Sequence, residues 1–315
     1  MGEHSMRCLS RPMPVMVGLL LVALYLAFNE RVHSQEAKER HGYAPVNGLK
    51  MYYEIHGAGG TPLVLVHGGG STIDTTFGRI LPALAKTRQV IAFEQQGHGR
   101  TADVEGRPFS FAQSADDAVA LLKHLKIERA DWFGFSNGGH IALEIGIRHP
   151  KVVRKLVIAS AACTRDGHYP EFWEFMKAAK LDGMPKELRD AYVKLSPHPE
   201  QLPSFFDKSV KRMRDFKDFR KEDIQSIKAA TLVLIGDADN VRPEHAVAMY
   251  RLLPHTQLVV LPGGHGAAIG EVTAARFEEG KVRFGTATKS KLPELVAAII
   301  EEFLDAPLPE ARKLP

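Results

Sequence analysis

Short apolar runs alternate along this chain with stretches of helical periodicity. Strands are predicted at 51–55, 63–67, 90–93, 130–135, 155–159, 231–235 and 257–261, and helices at 111–125, 137–148, 243–253 and 292–304. Several of the strands are nearly continuous runs of Val, Ile and Leu, which is typical of strands covered on both faces. The pattern therefore predicts an α/β fold with a mostly parallel central sheet and helices on both faces.

The last predicted helix is amphipathic. Leu295, Ala298, Ile299 and Phe303 fall on one side of it, and an apolar stripe of this kind packs against a sheet. We therefore expect these four side chains to face the core.

The alternation stops between residues 163 and 228, in a segment that is charged and helix-like but rich in aromatic residues. We predict that 163–228 is a helical cap, or lid, inserted between the core segments 35–162 and 229–315. Trp173, Phe172 and Phe206 are its predicted substrate-binding residues. A second irregular stretch, 266–291, could add a rim to the pocket, but we favour a tolerated surface loop.

The N-terminal residues have the order of a secretory signal. Arg7 and Arg11 precede an apolar run at 15–28, polar residues follow, and Ser34 is a small residue before a possible cleavage point. We predict a signal peptide at 1–34 and a secreted or periplasmic protein. The alternative is an uncleaved N-terminal anchor, although the run is short of the ~20 residues that span a bilayer comfortably. Membrane association is expected only through that segment.

Composition excludes several classes of function. The chain has 315 residues, 44% of them hydrophobic, and a net charge of +4 that is spread along the sequence. Nucleic acid is not expected as a partner, because phosphate binding usually requires a clustered basic surface. The two cysteines, Cys8 and Cys163, cannot build a disulfide framework or a Cys-based zinc site. No histidine pair suggests a metal, so we expect no metal and no cofactor. The sequence leaves the oligomeric state open.

The strongest local signal is the sequence GFSNG at 134–138, which fits the G-x-S-x-G nucleophile elbow. An apolar strand leads into it and a helical run leads out, as the elbow requires. Glycines are needed because a sharp turn from strand to helix leaves no room for side chains beside the nucleophile. Ser136 is therefore the predicted catalytic nucleophile.

A serine nucleophile needs a base, and the base needs an acid that orients it. His265 lies in a glycine-rich loop just past the last strand and is the predicted base. Two aspartates, Asp237 and Asp239, follow the strand before it. We favour Asp239 as the catalytic acid because it lies deeper in the turn, whereas Asp237 would brace that turn.

The sequence HGGG at 67–70 follows a strand and matches a type of oxyanion loop in which glycine lets backbone N–H groups approach the substrate. The predicted oxyanion donors are the backbone N–H groups of Gly69 and Asn137. His67 is expected to hold the turn.

Together these residues resemble the α/β-hydrolase superfamily, in particular its lidded, single-domain bacterial members. The resemblance covers residues 51 to about 305 and includes DNVRP at 239–243, which looks like the family's D-x-V-x-P turn. It implies the α/β-hydrolase fold, with Ser136 as nucleophile, His265 as base and Asp239 as acid. The loop EQQGHGRT at 94–101 departs from the family's usual D-x-R-G-x-G-x-S.

We therefore expect a secreted or periplasmic serine hydrolase that cleaves a small-molecule carboxylic ester or lactone through an acyl-enzyme. An acyltransferase, or an amidase, C–C bond hydrolase or perhydrolase on the same triad, is the alternative, because the elbow is shared and selectivity resides in the pocket. A non-catalytic binding protein that kept the fold fits less well with an intact triad.

Overall fold

A computed structural model describes residue 1 and residues 40–278, 281–285 and 290–307. The predicted signal peptide or anchor at 1–34 lies outside the described residues, apart from Met1. The folded unit falls within Glu39–Pro315. In the described part of the chain, we find no helix of the length and apolar character needed to cross a bilayer.

Eight strands form the main sheet in the order β1-β2-β4-β3-β5-β6-β7-β8. The first two pairings, β1 with β2 and β2 with β4, are antiparallel, and the others are parallel. The strands are β1 Arg40–Val46, β2 Leu49–His56, β3 Leu63–Val66, β4 Val90–Phe93, β5 Ala130–Phe135, β6 Val153–Ala159, β7 Ala230–Ala238 and β8 Thr256–Gly264. The mostly parallel sheet confirms the predicted fold class.

Helices cover both faces of this sheet. Along β3, Val64 and Val66 belong to one buried cluster, while Leu63 and Leu65 belong to the other, because successive side chains of a strand point to opposite faces. The first cluster includes residues of α3 Phe111–His124, α4 Asn137–Arg148 and α9 Pro243–Leu252. The second includes residues of α1 Ile73–Phe77, α2 Leu81–Leu84 and α10 Leu292–Asp305.

The chain between β6 and β7 is helical, as expected for the predicted cap. It contains α5 Pro170–Ala178, α6 Lys186–Leu195, α7 Leu202–Arg214 and α8 Lys221–Ser226, with short 3-10 turns between them. Phe205, Tyr192, Leu188 and Met184 form a separate small apolar cluster there, together with Phe109 of the core. The division of the chain into a core and a cap at 163–228 stays a prediction.

Two expectations from the sequence were wrong in detail. In α10, Leu295 is 54% exposed, and the buried face is formed instead by Val296, Ala297, Ile300, Phe303 and Leu304. The stretch 266–291 is not only a surface loop, because it contains the antiparallel pair β9 Ala275–Glu278 and β10 Lys281–Phe284. In addition, strand β1 was not predicted.

The packing on the sheet predicts a large effect of truncating Phe133. This side chain of β5 is fully buried and lies edge-on to Phe77, with ring centroids 5.3 Å apart. Because a cavity would remain, Phe133→Ala should lower the free energy of unfolding by about 3–5 kcal/mol, measured by urea unfolding. The control is Val193→Ala at a 51% exposed position, which should change it by less than about 0.5 kcal/mol. Equal effects in the two variants would contradict this packing.

Candidate active site

Ser136 occupies a sharp turn between β5 and α4. Its backbone has φ of 54° and ψ of −120°, a conformation that is uncommon for a non-glycine residue and is typical of strained functional positions. A Cβ added at Gly134 would lie 2.1 Å from the Gly138 carbonyl oxygen, and one at Gly138 would lie 1.9 Å from that of Val66. The flanking glycines are therefore required sterically, as the motif predicted.

His265 follows β8 and is held by β9. Its backbone N–H donates to the Ala275 carbonyl at 2.6 Å, and the Ala275 N–H donates back to the His265 carbonyl at 3.0 Å. A Cβ at Gly264 would lie 2.0 Å from the same Ala275 carbonyl oxygen. The imidazole packs against Phe135, with ring centroids 4.8 Å apart. The stretch after the histidine thus anchors it in place.

The structure pairs His265 with Asp239. The Nδ1 atom of His265 lies 2.8 Å from Oδ1 of Asp239, whose carboxyl group is fully buried. The hydroxyl of Ser160 donates to Oδ2 of Asp239 at 2.6 Å, and the Val241 N–H donates to Oδ1 at 3.2 Å. Asp237 is exposed and accepts a hydrogen bond from the Gly263 N–H at 2.8 Å. Of the two aspartates considered, Asp239 is the one in contact with the histidine.

The charges of this pair oppose the effect of burial. Burial raises the pKa of Asp239, but the His265 charge and the hydrogen bonds from His265, Ser160 and Val241 leave it below its usual value. Burial lowers the pKa of His265, but the charge and hydrogen bond of Asp239, with the charge of Glu271, leave it above its usual value. With Nδ1 bound to the carboxylate, Nε2 is the nitrogen left to exchange a proton.

The glycine loop after β3 runs beside the serine. A Cβ at Gly69 would lie 2.1 Å from Nδ2 of Asn137, and one at Gly68 would lie 3.5 Å from Cβ of Ser136. Asn137 is the first residue of α4, where a backbone N–H has no partner within the helix. Gly69 and Asn137, whose N–H groups are the predicted oxyanion donors, therefore lie side by side at the serine.

His67 has the structural position that the sequence suggested. It is fully buried, its ring accepts a hydrogen bond from the Gln95 N–H at 3.1 Å, and its Nδ1 donates to the Gly68 carbonyl at 2.8 Å. Burial lowers the pKa of His67 to about 4. A neutral ring with both nitrogens bonded holds the loop and has no free position for proton transfer.

Ser136 and His265 open into one cavity of about 520 Å³, which the glycine loop also lines. Phe172 and Phe206, two of the predicted substrate-binding residues, line this cavity. Trp173 does not: its Nε1 donates to the Arg165 carbonyl at 2.8 Å, and the Arg165 guanidinium lies 3.7 Å from the center of its ring. Trp173 instead packs against His168 and Phe172, and substrate binding by all three residues stays a prediction.

Several residues at the site were not predicted. Ser160 follows β6 at the sheet edge where Ser136 lies, so its position after a strand was a usable signal. Glu271 and Thr273 line the cavity from the stretch predicted as a surface loop. Two histidines, His140 and His168, also line it, and nothing in their sequence context marked them. Among the described residues, no group of His, Cys, Asp and Glu side chains is arranged to hold a metal ion.

Comparison with known proteins gives a consistent assignment. A family model described as the alpha/beta hydrolase fold matches residues 61–197. A 2-hydroxymuconate semialdehyde hydrolase of Pseudomonas sp. (strain CF600) is 30% identical over 266 residues, covering 74% of this chain and 93% of that protein. A 2-hydroxy-6-oxo-2,4-heptadienoate hydrolase of Pseudomonas putida is 29% identical over 228 residues, covering 65% and 83%.

Solved structures agree on the fold. A meta-cleavage product hydrolase from Pseudomonas fluorescens superposes with a TM-score of 0.67 at 22% identity, covering 84% of this chain and 97% of the other. A membrane phospholipase A superposes with a TM-score of 0.63 at 19% identity, covering 93% and 96%. At these identities the likeness concerns the fold alone. With the sheet, the elbow and the sequence relatives taken together, this chain is a hydrolase and belongs to the α/β-hydrolase superfamily.

Proposed function

We propose that this protein is a serine hydrolase that cleaves a small carboxylic ester or lactone. The observation that carries the proposal is the contact of His265 Nδ1 with the buried Asp239 carboxylate at 2.8 Å, at a cavity that Ser136 also lines. Nucleophilic acyl transfer requires a base oriented by an acid at the same cavity as the nucleophile, and these two observations support that arrangement.

In the first half-reaction, Oγ of Ser136 attacks the substrate carbonyl carbon while its proton passes to Nε2 of His265. The carbonyl oxygen becomes an oxyanion, which the N–H groups of Gly69 and Asn137 stabilise. The intermediate then expels the alcohol, which takes the proton from His265. An ester between the acyl group and Ser136 remains.

In the second half-reaction, water attacks this acyl-enzyme and His265 takes a proton from the water. The tetrahedral intermediate collapses, Oγ of Ser136 recovers the proton, and the carboxylic acid leaves. Asp239 is not protonated in this cycle. It holds the imidazole in the tautomer with hydrogen on Nδ1 and stabilises the imidazolium that forms in each half-reaction.

A second candidate is hydrolysis of a C–C bond next to a carbonyl, and the relatives favour it. The names of two of them describe hydrolases of a muconate semialdehyde and a heptadienoate. The same serine chemistry would then have to expel a carbon leaving group, which must be protonated on carbon. Esters and lactones need no such step, and the triad described above is sufficient for them.

We also propose that the protein acts outside the cytoplasm, on the basis of the N-terminal sequence at 1–34.

The proposed nucleophile predicts the behaviour of Ser136→Ala. This variant should lose about 10⁴-fold or more in kcat/KM for nitrophenyl esters, because the triad acts as one unit, while its urea unfolding midpoint stays close to the wild-type value. Ser226→Ala, at an exposed serine outside the cavity lining, is the control and should keep full activity. A panel of esters, lactones and a dienoate ketone tests the bond type. Faster turnover of the dienoate would favour the C–C candidate, and activity retained in Ser136→Ala would overturn both.

The Asp239 contact predicts a shifted pH profile. His265 must be neutral to accept the serine proton, and its pKa is raised by Asp239, so kcat/KM should fall on the acid side at a pH above that of a free imidazole. In Asp239→Asn the charge is lost while burial remains. The fall should then move to lower pH, and kcat should drop by about 10⁴-fold.

The control for this profile is Asp237→Asn, because Asp237 only braces the turn through the Gly263 N–H. This variant should leave both kcat and the pH at which kcat/KM falls on the acid side close to the wild-type values. An acid limb that stays in place in Asp239→Asn, or that moves equally in Asp237→Asn, would contradict the role given to Asp239.

The export proposal predicts where the chain is found. Expressed in a bacterium, the full sequence should appear outside the cytoplasm, and N-terminal sequencing should find Gln35 first if the signal is cleaved. Deletion of residues 1–34 should keep the same protein in the cytoplasm. Full-length chain in the membrane fraction would support the anchor instead, and full-length chain in the cytoplasm would overturn export.

A further inference from the structure

The cavity contains a group of buried polar atoms that the proposed mechanism does not use. His168 and Asn240 are only 4% and 6% exposed, and both line the cavity. Neither ring nitrogen of His168 has a hydrogen-bond partner among the described residues, and the same is true of Oδ1 of Asn240 and Oγ of Ser209. Ser209 lines the cavity as well. Buried polar atoms without partners are costly and rare, so each requires an explanation.

The fold ties this group to the triad. Asn240 directly follows Asp239, and a single antiparallel bridge joins His168 to Val241. The Tyr169 N–H donates to the Asn240 carbonyl at 3.2 Å. His168 and Asn240 are therefore fixed next to each other by their backbones, directly beside the residue that orients the catalytic base.

The ring of His168 is fixed in orientation but not in hydrogen bonding. It stacks on Phe172, with centroids 4.4 Å apart and planes at 15°, and Trp173 packs edge-on at 5.2 Å. His140 lies parallel to it at 6.4 Å, and Nδ1 of His140 donates to the Ser136 carbonyl at 3.1 Å. Aromatic rings therefore pack around His168, whereas its two ring nitrogens have no hydrogen-bond partner among the described residues.

The charge of the cavity selects the kind of group that fits there. Burial lowers the pKa of His168 to about 3, so the ring is neutral at physiological pH. Among the described lining residues, the basic side chain other than histidine is Lys180, which is exposed. Glu271 is a buried lining residue with a carboxyl group. A carboxylate at His168 would be desolvated without a cation beside it, which is strongly unfavourable.

We propose that His168 and Asn240 form a subsite for a hydroxyl group of the substrate. A neutral imidazole has one donor and one acceptor, and the amide oxygen of Asn240 accepts. An alcohol hydroxyl, which donates and accepts, satisfies these atoms without bringing a charge. The rest of the wall, including Phe206, Met184 and Leu188, suits the hydrocarbon part of the molecule.

This inference rests on the proposed function and deepens it, since it names hydroxylated esters as the substrate class. The name of the heptadienoate hydrolase that this chain resembles denotes a substrate with both a hydroxyl group and a carboxylate, whereas the subsite proposed here takes the hydroxyl group alone. The hydroxyl could belong to the acyl part or to the alcohol part of the ester. The experiment therefore uses a matched pair for each part.

The first arm is kinetic. The acyl pair is methyl 3-hydroxybutanoate with methyl butanoate, and the alcohol pair is 2-hydroxyethyl butanoate with propyl butanoate. Wild-type enzyme should prefer the hydroxylated member of one pair by about tenfold or more in kcat/KM, because the analogue leaves buried polar groups unpaired. Monomethyl succinate, which carries a carboxylate, should be the poorest substrate.

Variants locate the effect. In His168→Leu, the ratio of kcat/KM for the hydroxylated ester to that for its analogue should fall close to one. In His168→Gln, which retains a donor and an acceptor, this ratio should lie between the His168→Leu and wild-type values. Phe206→Leu changes an apolar part of the same wall and should leave the ratio unchanged. A ratio near one for both pairs in wild type, a ratio unaffected by His168→Leu, or a preference for monomethyl succinate would overturn the subsite.

The second arm does not depend on turnover. In Ser136→Ala labelled with ¹⁵N-histidine, the hydroxylated ester should shift the ring nitrogen signals of His168, and its matched analogue should not. Equal shifts with both ligands, or none, would overturn the subsite. A shift specific to the hydroxylated ester in a protein whose wild type hydrolyses no ester would keep the subsite and overturn the proposed function.

Discussion

The site depends on one buried contact, between the carboxylate of Asp239 and the imidazole of His265. Burial alone would favour the neutral form of both groups. Instead the pKa of Asp239 is lowered and that of His265 is raised, because each group stabilises the charge of the other and Ser160 adds a hydrogen bond at 2.6 Å. The sheet makes this possible by ending β7 and β8 side by side, so that the residues following both strands meet at one edge.

The buried histidines show how much that contact changes. Burial lowers the pKa of His67, His140 and His168 to about 4, 4 and 3, and each is held as a neutral ring that supports a loop or lines the cavity. His265 is also largely buried, with a side chain that is 16% exposed, but the Asp239 carboxylate contacts it and its pKa is raised rather than lowered. His67 and His140 are therefore neutral hydrogen-bonding rings and His168 is a neutral ring without a partner among the described residues, whereas His265 is the histidine whose protonated form Asp239 stabilises.

The sequence predicted the elements whose pattern is set by burial on both faces. Strands β4 and β5 and helix α4 begin and end where the apolar runs do. Strand β1 was missed because most of its side chains are exposed. In α10, apolar residues lie on all sides of the helix, so the sequence pattern did not show which side is buried. The candidates Ser136, His265 and Asp239 came from motifs and from position in a turn, and the structure adds the contact between His265 and Asp239. The bridge that joins His168 to Val241 links segments far apart in the chain, so no local pattern could predict it.

The proposed mechanism requires that Ser136 becomes covalently acylated with the help of His265 and Asp239. A fluorophosphonate probe traps such a nucleophile directly, and mass spectrometry of the digested protein locates the adduct. The folded protein should carry one adduct per chain, on the peptide containing Ser136, formed quickly in wild type and far more slowly in Asp239→Asn. An adduct on another residue, or none on folded wild-type protein, would contradict it.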